Sequence, residues 1–484
     1  MDLGTEEKLH FEVSSALKSV IGRDLITNDF VAIFELVKNS FDARASKVDL
    51  VFDSKNEKID SIFVVDDGKG MSRQDIEDKW LFVAYSAKGD GTEDKNINQT
   101  YAGNKGVGRF SCDRIGGKLR LQSKIAGESK VHVLDVDWGA FEENSKTKFE
   151  KVDINYSEQD SFDLPDGVIA SDSGVVLQIS SLRDNISWDR QKLLRLKRHL
   201  SKLINPFGDA SSVIDINLKC AREIPLDVQD KLKNEITPDK TPEVVNGPIK
   251  NTVFEILKSK TTWLQVDLDS NGDFFSSLVD RGELIYKIKE SSDEFPELRD
   301  SDFSCQIFYL NRAAKQTFKL RMGVTSVDFG SLLLFRNGFR VFPVGETGDD
   351  YWEVERRHQQ GYARTFGTRD IMGRVDIAGP ESKFKESSSR DRGLVETTAS
   401  KQLFNCVIQK CIRRLESYVV GITWKDKLDK DYDSIQRLGL DENRSRIIDL
   451  IESLANSKVI ELLEYSHNLI EVLSEKSKYF ESSV

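Results

Sequence analysis

Residues 34–53 read FELVKNSFDARASKVDLVFD, in which a helical pattern runs directly into a strand-like pattern. Apolar residues at spacings of three and four predict a helix with one apolar face. These residues are Phe30, Phe34, Val37 and Phe41. Glu35 and Asn39 lie four positions apart, so both point the same way from a neighbouring face. The pair could contact one ligand, or it could face water as most polar helix residues do.

The composition is that of a folded, rather polar protein with more than one domain. The chain has 484 residues, of which 38% are hydrophobic and 31% are charged. A typical domain size of about 150 residues predicts two or three domains. The formal net charge of −11 argues against a strongly basic nucleic-acid binder but leaves a local basic groove open.

The cysteines and the N-terminal residues favour a cytoplasmic protein. Five cysteines are scattered without a paired framework or a zinc-binding spacing, which predicts reduced thiols. The opening residues MDLGTEEKLHFEVSS lack the basic and apolar runs of a signal peptide. The apolar run SLLLF, residues 331–335, is far shorter than the ~20 residues that a membrane span needs.

Strand patterns follow the helix, so the first domain mixes both element types. The β-rich runs are KVDLVF (47–52), IDSIFVVDD (59–67), KLRLQSK (118–124), KVHVLDVDW (130–138) and GVVLQIS (174–180). Neighbouring strands of this kind pair antiparallel, with the helices on one side. We therefore predict an α+β fold, with a two-layer α/β sandwich over residues 1–185.

A polar cluster stands at the end of the second strand pattern, in VVDDGKGMS at residues 64–72. Asp66 and Asp67 end an apolar run, and Gly68 and Gly70 follow them. Glycines let the backbone approach a ligand closely, beside a carboxylate at the strand end. The alternative is an ordinary acidic turn.

Residues 89–111, GDGTEDKNINQTYAGNKGVGRFS, form a long stretch without a helix or strand pattern. Such a segment in a compact domain is usually a lid or a binding loop. Gly103, Gly106 and Gly108 could free backbone N–H groups to surround an anion. Their spacing fits neither GxGxxG nor GxxxxGK[ST], so Rossmann and Walker sites lack motif support.

The three clusters, taken in this order, resemble the GHKL ATPases, the superfamily of gyrase B, the ninety-kilodalton heat-shock chaperones, histidine kinases, MutL and the MORC ATPases. ELVKNSFDA (35–43) resembles the family's Glu-x-x-x-Asn helix, DDGKGM (66–71) its adenine-binding Asp-x-Gly-x-Gly turn, and GNKGVGRF (103–110) its glycine-rich lid. The resemblance covers residues 8–182. It implies the Bergerat fold, with ATP and Mg²⁺ as ligands.

The resemblance also implies roles for individual residues. Asn39 would coordinate magnesium, Glu35 would act as general base on the attacking water, and Asp66 would accept the adenine amino hydrogen. Asp42 would stand behind the ligand-contacting residues or lie on the helix surface. Further nucleotide contacts are expected from Gly68, Gly70, Met71, Lys88, Gly103, Lys105, Gly106, Val107 and Gly108.

The sequence departs from the family before the last strand of the sandwich. Family members commonly carry Gly-Thr there, and this chain carries Gly174-Val175. Either Ser173 substitutes for the threonine, or the adenine contact is thinner.

The remaining chain is expected to form a second α/β domain over residues 186–400, with an insertion suggested at about 225–325, and a helical region over 401–484. The basic run WDRQKLLRLKRHLSKLI (188–204) is interpreted as a solvated linker helix, with a nucleic-acid contact as the alternative. Asn337-Gly338 predicts a tight hairpin turn. Residues 444–476 space Ile, Leu and Val at three and four, which indicates a helical hairpin or a coiled-coil partner surface.

In the related ATPases with a second domain, that domain contributes a Lys or Arg to the terminal phosphate. KESSSRDRGLVE (385–396) resembles the corresponding stretches of the chaperones and MORC proteins. It makes Arg390 the candidate sensor and Arg392 its alternative. The competing interpretation is a polar segment at a helix N-terminus.

Two functional hypotheses of different class remain. In the first, the protein is an ATP-gated homodimeric clamp that exchanges N-terminal straps, residues 1–25, on a protein or nucleic-acid client. In the second, it is the ATP-sensing subunit of a larger prokaryotic assembly, such as a defence or DNA-processing system, whose effector docks on the C-terminal helices.

A histidine kinase is disfavoured because no phosphoacceptor His precedes the ATP domain. DLDSNGDFFSSL (267–278) mimics a calcium loop, but Leu278 replaces the required Glu, so a hairpin turn on Asn271-Gly272 is predicted.

Overall fold

A computed structural model gives the fold of the chain. It describes residues 10–21, 23–24, 26, 28–55, 57–83, 110–144, 146–169, 171–184, 187–201, 214–236, 243–249, 253–322, 325–361, 365–387, 393–423 and 441–466. The chain divides into two compact units. Each is built around one eight-stranded sheet, which confirms the α+β class.

The first unit contains a mostly antiparallel sheet in the order β5-β4-β3-β6-β2-β1-β7-β8. Its strands are β1 Lys47–Lys55, β2 Lys58–Asp66, β3 Gly116–Lys124, β4 Val131–Asp137, β5 Asn155–Gln159, β6 Gly174–Leu182, β7 Asp215–Lys219 and β8 Gly247–Pro248. Its helices are α1 Leu17–Ile21, α2 Asp29–Asp42, α3 Arg73–Asp75, α4 Ser111–Ile115, α5 Arg190–Ser201 and α6 Ile224–Ile236. All five strands expected from the sequence are present.

Helix α2 forms where the sequence predicted it and lies against the sheet. Asn28 caps its first turn by accepting a hydrogen bond from the Val31 N–H at 3.0 Å. Ala32, Leu36 and other apolar residues of α2 are buried, and the helix packs against β2, α4 and α5. The opposite face of the sheet is also covered, because Phe162 packs on a cluster that includes Phe63 and Val65. Burial on both faces explains the nearly continuous apolar run in β2.

The first unit extends well beyond residue 185. Strand β7 pairs parallel with β1, and the compact unit continues to Lys250. The predicted domain boundary at 185 therefore differs from the boundary between the units. Helix α5 is not a solvated linker, because Leu193, Leu196 and Leu200 are buried. Its basic charge is largely used within the unit: Arg190 bonds to Glu223, Asp227 and Asp230 at 2.8–3.0 Å, and Lys197 to three backbone carbonyls.

The second unit contains a sheet in the order β14-β13-β15-β12-β9-β10-β11-β16. Its strands are β9 Thr262–Leu268, β10 Asp273–Asp280, β11 Glu283–Ser291, β12 Ser304–Tyr309, β13 Leu332–Arg336, β14 Phe339–Arg340, β15 Ile371–Ile377 and β16 Ile460–Tyr465. Its helices are α7 Val253–Lys260, α8 Arg312–Met322, α9 Ser326–Phe329, α10 Val354–Gln360, α11 Thr398–Cys406, α12 Arg413–Tyr418 and α13 Asp441–Ala455, with π-helical segments at Val407–Ile412 and Val419–Thr423.

Two expectations about this unit are wrong. Residues 225–325 are not an insertion, because β9 and β12 pair with each other in the middle of the sheet. The C-terminal pattern is not wholly helical, because Ile460–Tyr465 forms β16 on the sheet edge. Ile460 and Leu462 pack against the core at a spacing of two, and Glu461 and Glu464 lie opposite lysines of β11. This local strand alternation was hidden inside a longer helical spacing.

Two predicted turns and the state of the cysteines are confirmed. Asn337 and Gly338 both have positive φ, 50° and 82°, and join β13 to β14. Asp269 accepts hydrogen bonds from the Asn271 and Asp273 N–H groups at 2.9 Å and closes the β9–β10 hairpin. All five cysteines are free and buried. No helix within the described part of the chain is long and apolar enough to cross a membrane.

Candidate active site

The central helix presents Glu35 and Asn39 one turn apart. Glu35 is half-buried and Asn39 is exposed, so both can be reached from the same side. Asp42 is only 4% exposed. It therefore does not lie on the solvated surface of the helix, which was one of its two predicted positions.

Asp66 lies buried at the end of β2 and accepts three hydrogen bonds. The Ser40 hydroxyl donates to one carboxylate oxygen at 2.8 Å, while the N–H groups of Gly68 and Val175 donate to the other at 3.0 and 3.2 Å. Burial raises the pKa of Asp66 to about 6, although these three hydrogen bonds oppose the shift. The carboxylate is thus held in place but close to its protonated form at neutral pH.

The neighbouring carboxylate of Asp67 has a different environment. It accepts hydrogen bonds from the backbone N–H groups of Ser46 and Lys47 at 2.7 and 2.8 Å, and from the Ser46 hydroxyl. Partial burial opposes its ionisation, but these hydrogen bonds lower the pKa of Asp67 below its usual value. Asp67 ties β2 to the start of β1, which leaves Asp66 as the carboxylate available to a ligand.

Two glycines allow the close approach of backbone around Asp66. Gly70 has φ of 68°, and a Cβ there would lie 2.0 Å from the Lys124 carbonyl oxygen. Gly174 has φ of 138°, and a Cβ there would lie 2.0 Å from the Asp66 carbonyl oxygen. Any other residue would force the strands apart. The Met71 N–H donates to the Ser123 hydroxyl at 2.7 Å, which fixes the end of the turn against β3.

The structure explains how the chain manages without a threonine at position 175. Ser173 does not take its place at Asp66, because its hydroxyl donates to the Gly68 carbonyl at 3.0 Å. Ser40 supplies the hydroxyl instead, from α2. Sequence reasoning missed Ser40 and the Val175 N–H. The one signal for Ser40 was a small polar residue directly after Asn39, between the apolar positions Val37 and Phe41.

Several predicted site residues lie outside the described residues: Lys88, Gly103, Lys105, Gly106, Val107, Gly108, Arg390 and Arg392. The segment that carries Arg390 is nevertheless bracketed by described contacts. Glu386 and Leu394 form an antiparallel bridge, and the Ser387 N–H donates to the Gly393 carbonyl at 3.0 Å. Helix α11 begins only at Thr398. The residues flanking Arg390 therefore form a strand-like pair and not the first turn of a helix.

The donor set fits a purine nucleotide with a hard divalent cation. A carboxylate at a strand end can accept an exocyclic amino hydrogen, and Gly70 and Gly174 let the surrounding backbone pack closely around it. An exposed amide oxygen suits magnesium, which commonly keeps one or two protein ligands alongside water and phosphate. A carboxylate one helical turn away suits a general base. The fold of this unit is the one expected of a Bergerat-type sandwich, with Glu35 and Asn39 on α2 and Asp66 at the end of β2.

Comparison with known families agrees with this description. Residues 26–167 match the family described as histidine kinase-, DNA gyrase B-, and HSP90-like ATPase. This segment of the chain belongs to the GHKL superfamily, whose domains bind and hydrolyse ATP. The search of curated proteins found no match.

Proposed function

We propose that the chain is a magnesium-dependent ATPase in which Asp66 recognises adenine, Asn39 holds the metal and Glu35 activates water. The observation that carries the proposal is the 2.8 Å hydrogen bond from Ser40 to Asp66. It joins the end of β2 to the residue directly after Asn39 on α2. Base recognition and phosphate chemistry thereby share one rigid support.

Each residue has a defined task in this proposal. The ionised Asp66 accepts from the adenine amino group, and Ser40, Gly68 and Val175 hold its oxygens in place. Asn39 offers its side-chain oxygen to magnesium, which neutralises phosphate charge when bound. Glu35 orients the attacking water and takes its proton.

The phosphate contacts of the proposal come from the glycine-rich segment and from a cation of the second unit. Lys88 and Lys105 are the candidate lysines of the lid, and Gly103, Gly106 and Gly108 supply backbone N–H groups. Arg390 is the candidate cation for the terminal phosphate, where it would stabilise charge during transfer. The described residues on either side support this role only by position, since Glu386 and Leu394 form an antiparallel bridge that brings the two ends of this segment together.

The decisive test is magnesium-dependent ATP turnover of wild type beside Glu35→Ala, with ATP binding measured on both. We expect the variant to bind ATP and to hydrolyse it at least ~100-fold more slowly, because the general base is lost. Glu150→Ala is the matched control, since Glu150 is exposed in the same unit. It should behave as wild type. Failure of wild type to bind ATP would refute the proposal.

We further propose that hydrolysis serves a homodimeric clamp, gated by ATP, with a protein or nucleic-acid client. The second α/β unit supports this branch of the family, as does the sequence resemblance of residues 385–396. The alternative function is a regulatory ATP-sensing subunit of a larger prokaryotic assembly. It is favoured if wild type binds ATP without turnover and co-purifies with a stoichiometric partner.

A further inference from the structure

The family match ends at residue 167. Helix α5, which follows it in the chain, nevertheless contacts helix α2, which carries Glu35 and Asn39. Lys192 of α5 places its Nζ 2.6 Å from Asp29 Oδ2, the first residue of α2. Both side chains are only 15% exposed. An ion pair this well shielded is screened little by salt and holds its geometry.

Aromatic side chains surround the ion pair and restrict the position of the Lys192 side chain. Its Nζ lies 4.5 Å from the centroid of the Trp188 ring, a cation–π distance. Trp188 is buried and packs on Phe52 of β1 and Phe30 of α2, at centroid distances of 5.0 and 6.3 Å. Phe30 also packs against His199 of α5, with the ring centroids 4.8 Å apart. The start of α2 is thus clamped against both the sheet and α5.

Helix α5 is itself rigidly supported, so it can act as a fixed reference. The Asp189 carboxylate caps it by accepting from the Lys192 N–H at 2.7 Å. Arg190 binds Glu223 and Asp227, and Asp227 also accepts from the Val245 and Asn246 N–H groups at 2.9 and 2.8 Å. This network connects α5 to α6 and to the segment leading into β8.

A second cation lies near Asp29. Arg114 Nε of α4 is 3.4 Å from Asp29 Oδ1, within ion-pair distance, but the two atoms make no hydrogen bond. A negative charge in the first turn is also favoured by the dipole of the 14-residue helix α2. Asp29 therefore lies near cations of both α4 and α5, and of these two cations only Lys192 of α5 donates a hydrogen bond to it.

We infer that Lys192 is a positioning residue for the proposed ATPase, acting through Asp29 on the orientation of α2. Helices α5 and α6 and strands β7 and β8 would then be integral parts of the catalytic unit and not a connector. The inference rests on the proposed function, because it assigns the pair a task in placing Glu35. Small errors in such placement can lower turnover by one to two orders of magnitude.

The test compares Lys192→Met with Lys192→Arg and Asp29→Asn. We expect Lys192→Met and Asp29→Asn each to lower kcat about tenfold, with magnesium-free ADP affinity within about threefold of wild type, since Asp66 stands on β2. Lys192→Arg should retain most activity because it restores the ion pair. The double variant Asp29→Asn/Lys192→Met should be no slower than either single variant.

Lys233→Met is the matched control, because Lys233 is 66% exposed and pairs with Asp230 on α6 at 3.4 Å. It should leave kcat unchanged. Wild-type kcat in Lys192→Met, or equal losses in Lys192→Met and Lys192→Arg, would overturn the inference. If Lys192→Met does not fold, Asp29→Asn and Lys192→Arg still decide it.

Hydrogen exchange separates this inference from the proposed function. Amides in the first turns of α2 should exchange at least ~10-fold faster in Lys192→Met than in wild type or Lys192→Arg, with β3 and β4 unaffected. If wild type does not hydrolyse ATP, the proposed function fails, and the exchange experiment alone decides whether Lys192 fixes the helix. Unchanged exchange in α2 would refute the positioning role.

Discussion

Asp66 shows how a buried carboxylate is prepared for recognition. Burial raises the pKa of Asp66 to about 6, while Gly68, Ser40 and Val175 donate hydrogen bonds that favour the charged form. The balance leaves the carboxylate ionised at neutral pH but only narrowly so. Since a protonated carboxyl accepts an adenine amino hydrogen poorly, the proposed function makes ATP affinity depend on the charge of this one side chain.

We predict that ATP binding weakens as the pH falls through about 6. At pH 5, roughly a tenth of Asp66 would be ionised, so the dissociation constant should be about tenfold larger than at pH 7. Isothermal titration calorimetry between pH 5 and 8 measures this. Asp66→Asn should bind weakly at every pH without the step near 6. A flat profile in wild type would contradict the assignment of Asp66.

The same shift acts on stability with a definite sign. The folded state binds the Asp66 proton more tightly than the unfolded chain, whose carboxyl has the ordinary pKa of 3.8. Raising the pH from about 4 to about 6 therefore removes stability. In the proposed function, this loss of folding stability accompanies a charged Asp66 carboxylate that can accept a hydrogen bond from adenine.

Residues of the site differ in how far sequence could predict them. Local spacing singles out Glu35, Asn39 and Asp66, since a helix face and a strand end are properties of short segments, and the family resemblance implies their roles. Ser40 and the Val175 N–H meet Asp66 across 26 and 109 residues. Such contacts depend on which strands become neighbours, and periodicity does not specify that.

At the scale of elements, the N-terminal segment is pinned to its own unit. Ser14 bridges to Lys148, and the Ser15 N–H donates to the Thr147 carbonyl at 2.9 Å. Lys18 is fully buried and donates to both oxygens of Asp113 on α4 at 3.1 Å and to Glu142 at 2.6 Å. Any strap exchange that included residues 14–18 would have to break these contacts, so we expect exchange to involve only residues before them.

Lys18→Met should destabilise the first unit by about 3 kcal/mol, because it removes the buried ammonium group that donates to both oxygens of the fully buried Asp113. The loss stays near the lower end of the usual range since Arg183 still pairs with Asp113. The unfolding midpoint is measured in urea, and hydrogen exchange of the α4 amides is used to assign this unfolding transition to the first unit. Lys118→Met is the control, as its pair with Asp137 is 4.0 Å long and exposed. A midpoint equal to that of the control would contradict a stabilising role.

The order of the strands in each sheet could not be predicted from the sequence. The parallel pairing of β1 with β7 joins segments about 170 residues apart, and no local pattern of β7 indicates its partner. For strand β16, the element type itself was ambiguous, because the spacing of its apolar residues fits both a helix and a strand. Its pairing with β11, with Glu464 opposite Lys287 and Glu461 opposite Lys289, decides for the strand.

At the scale of the whole molecule, a clamp requires that ATP binding change the association of two chains. We predict that a non-hydrolysable ATP analogue with magnesium shifts wild type from one-chain to two-chain mass in sedimentation velocity. Two copies that each carry a formal net charge of −11 repel each other, so the dimer should strengthen when salt rises from about 0.05 to 0.15 M.

Two variants make this prediction specific to the nucleotide site. Glu35→Ala should accumulate as a dimer in ATP itself, because it binds without turning over, whereas Asp66→Asn should stay a single chain at the same nucleotide concentration. If wild type keeps one mass with and without the analogue, the clamp fails even when hydrolysis is intact. The ATP-sensing subunit then becomes the better account, because a sensor can transmit nucleotide state to a different partner without self-association.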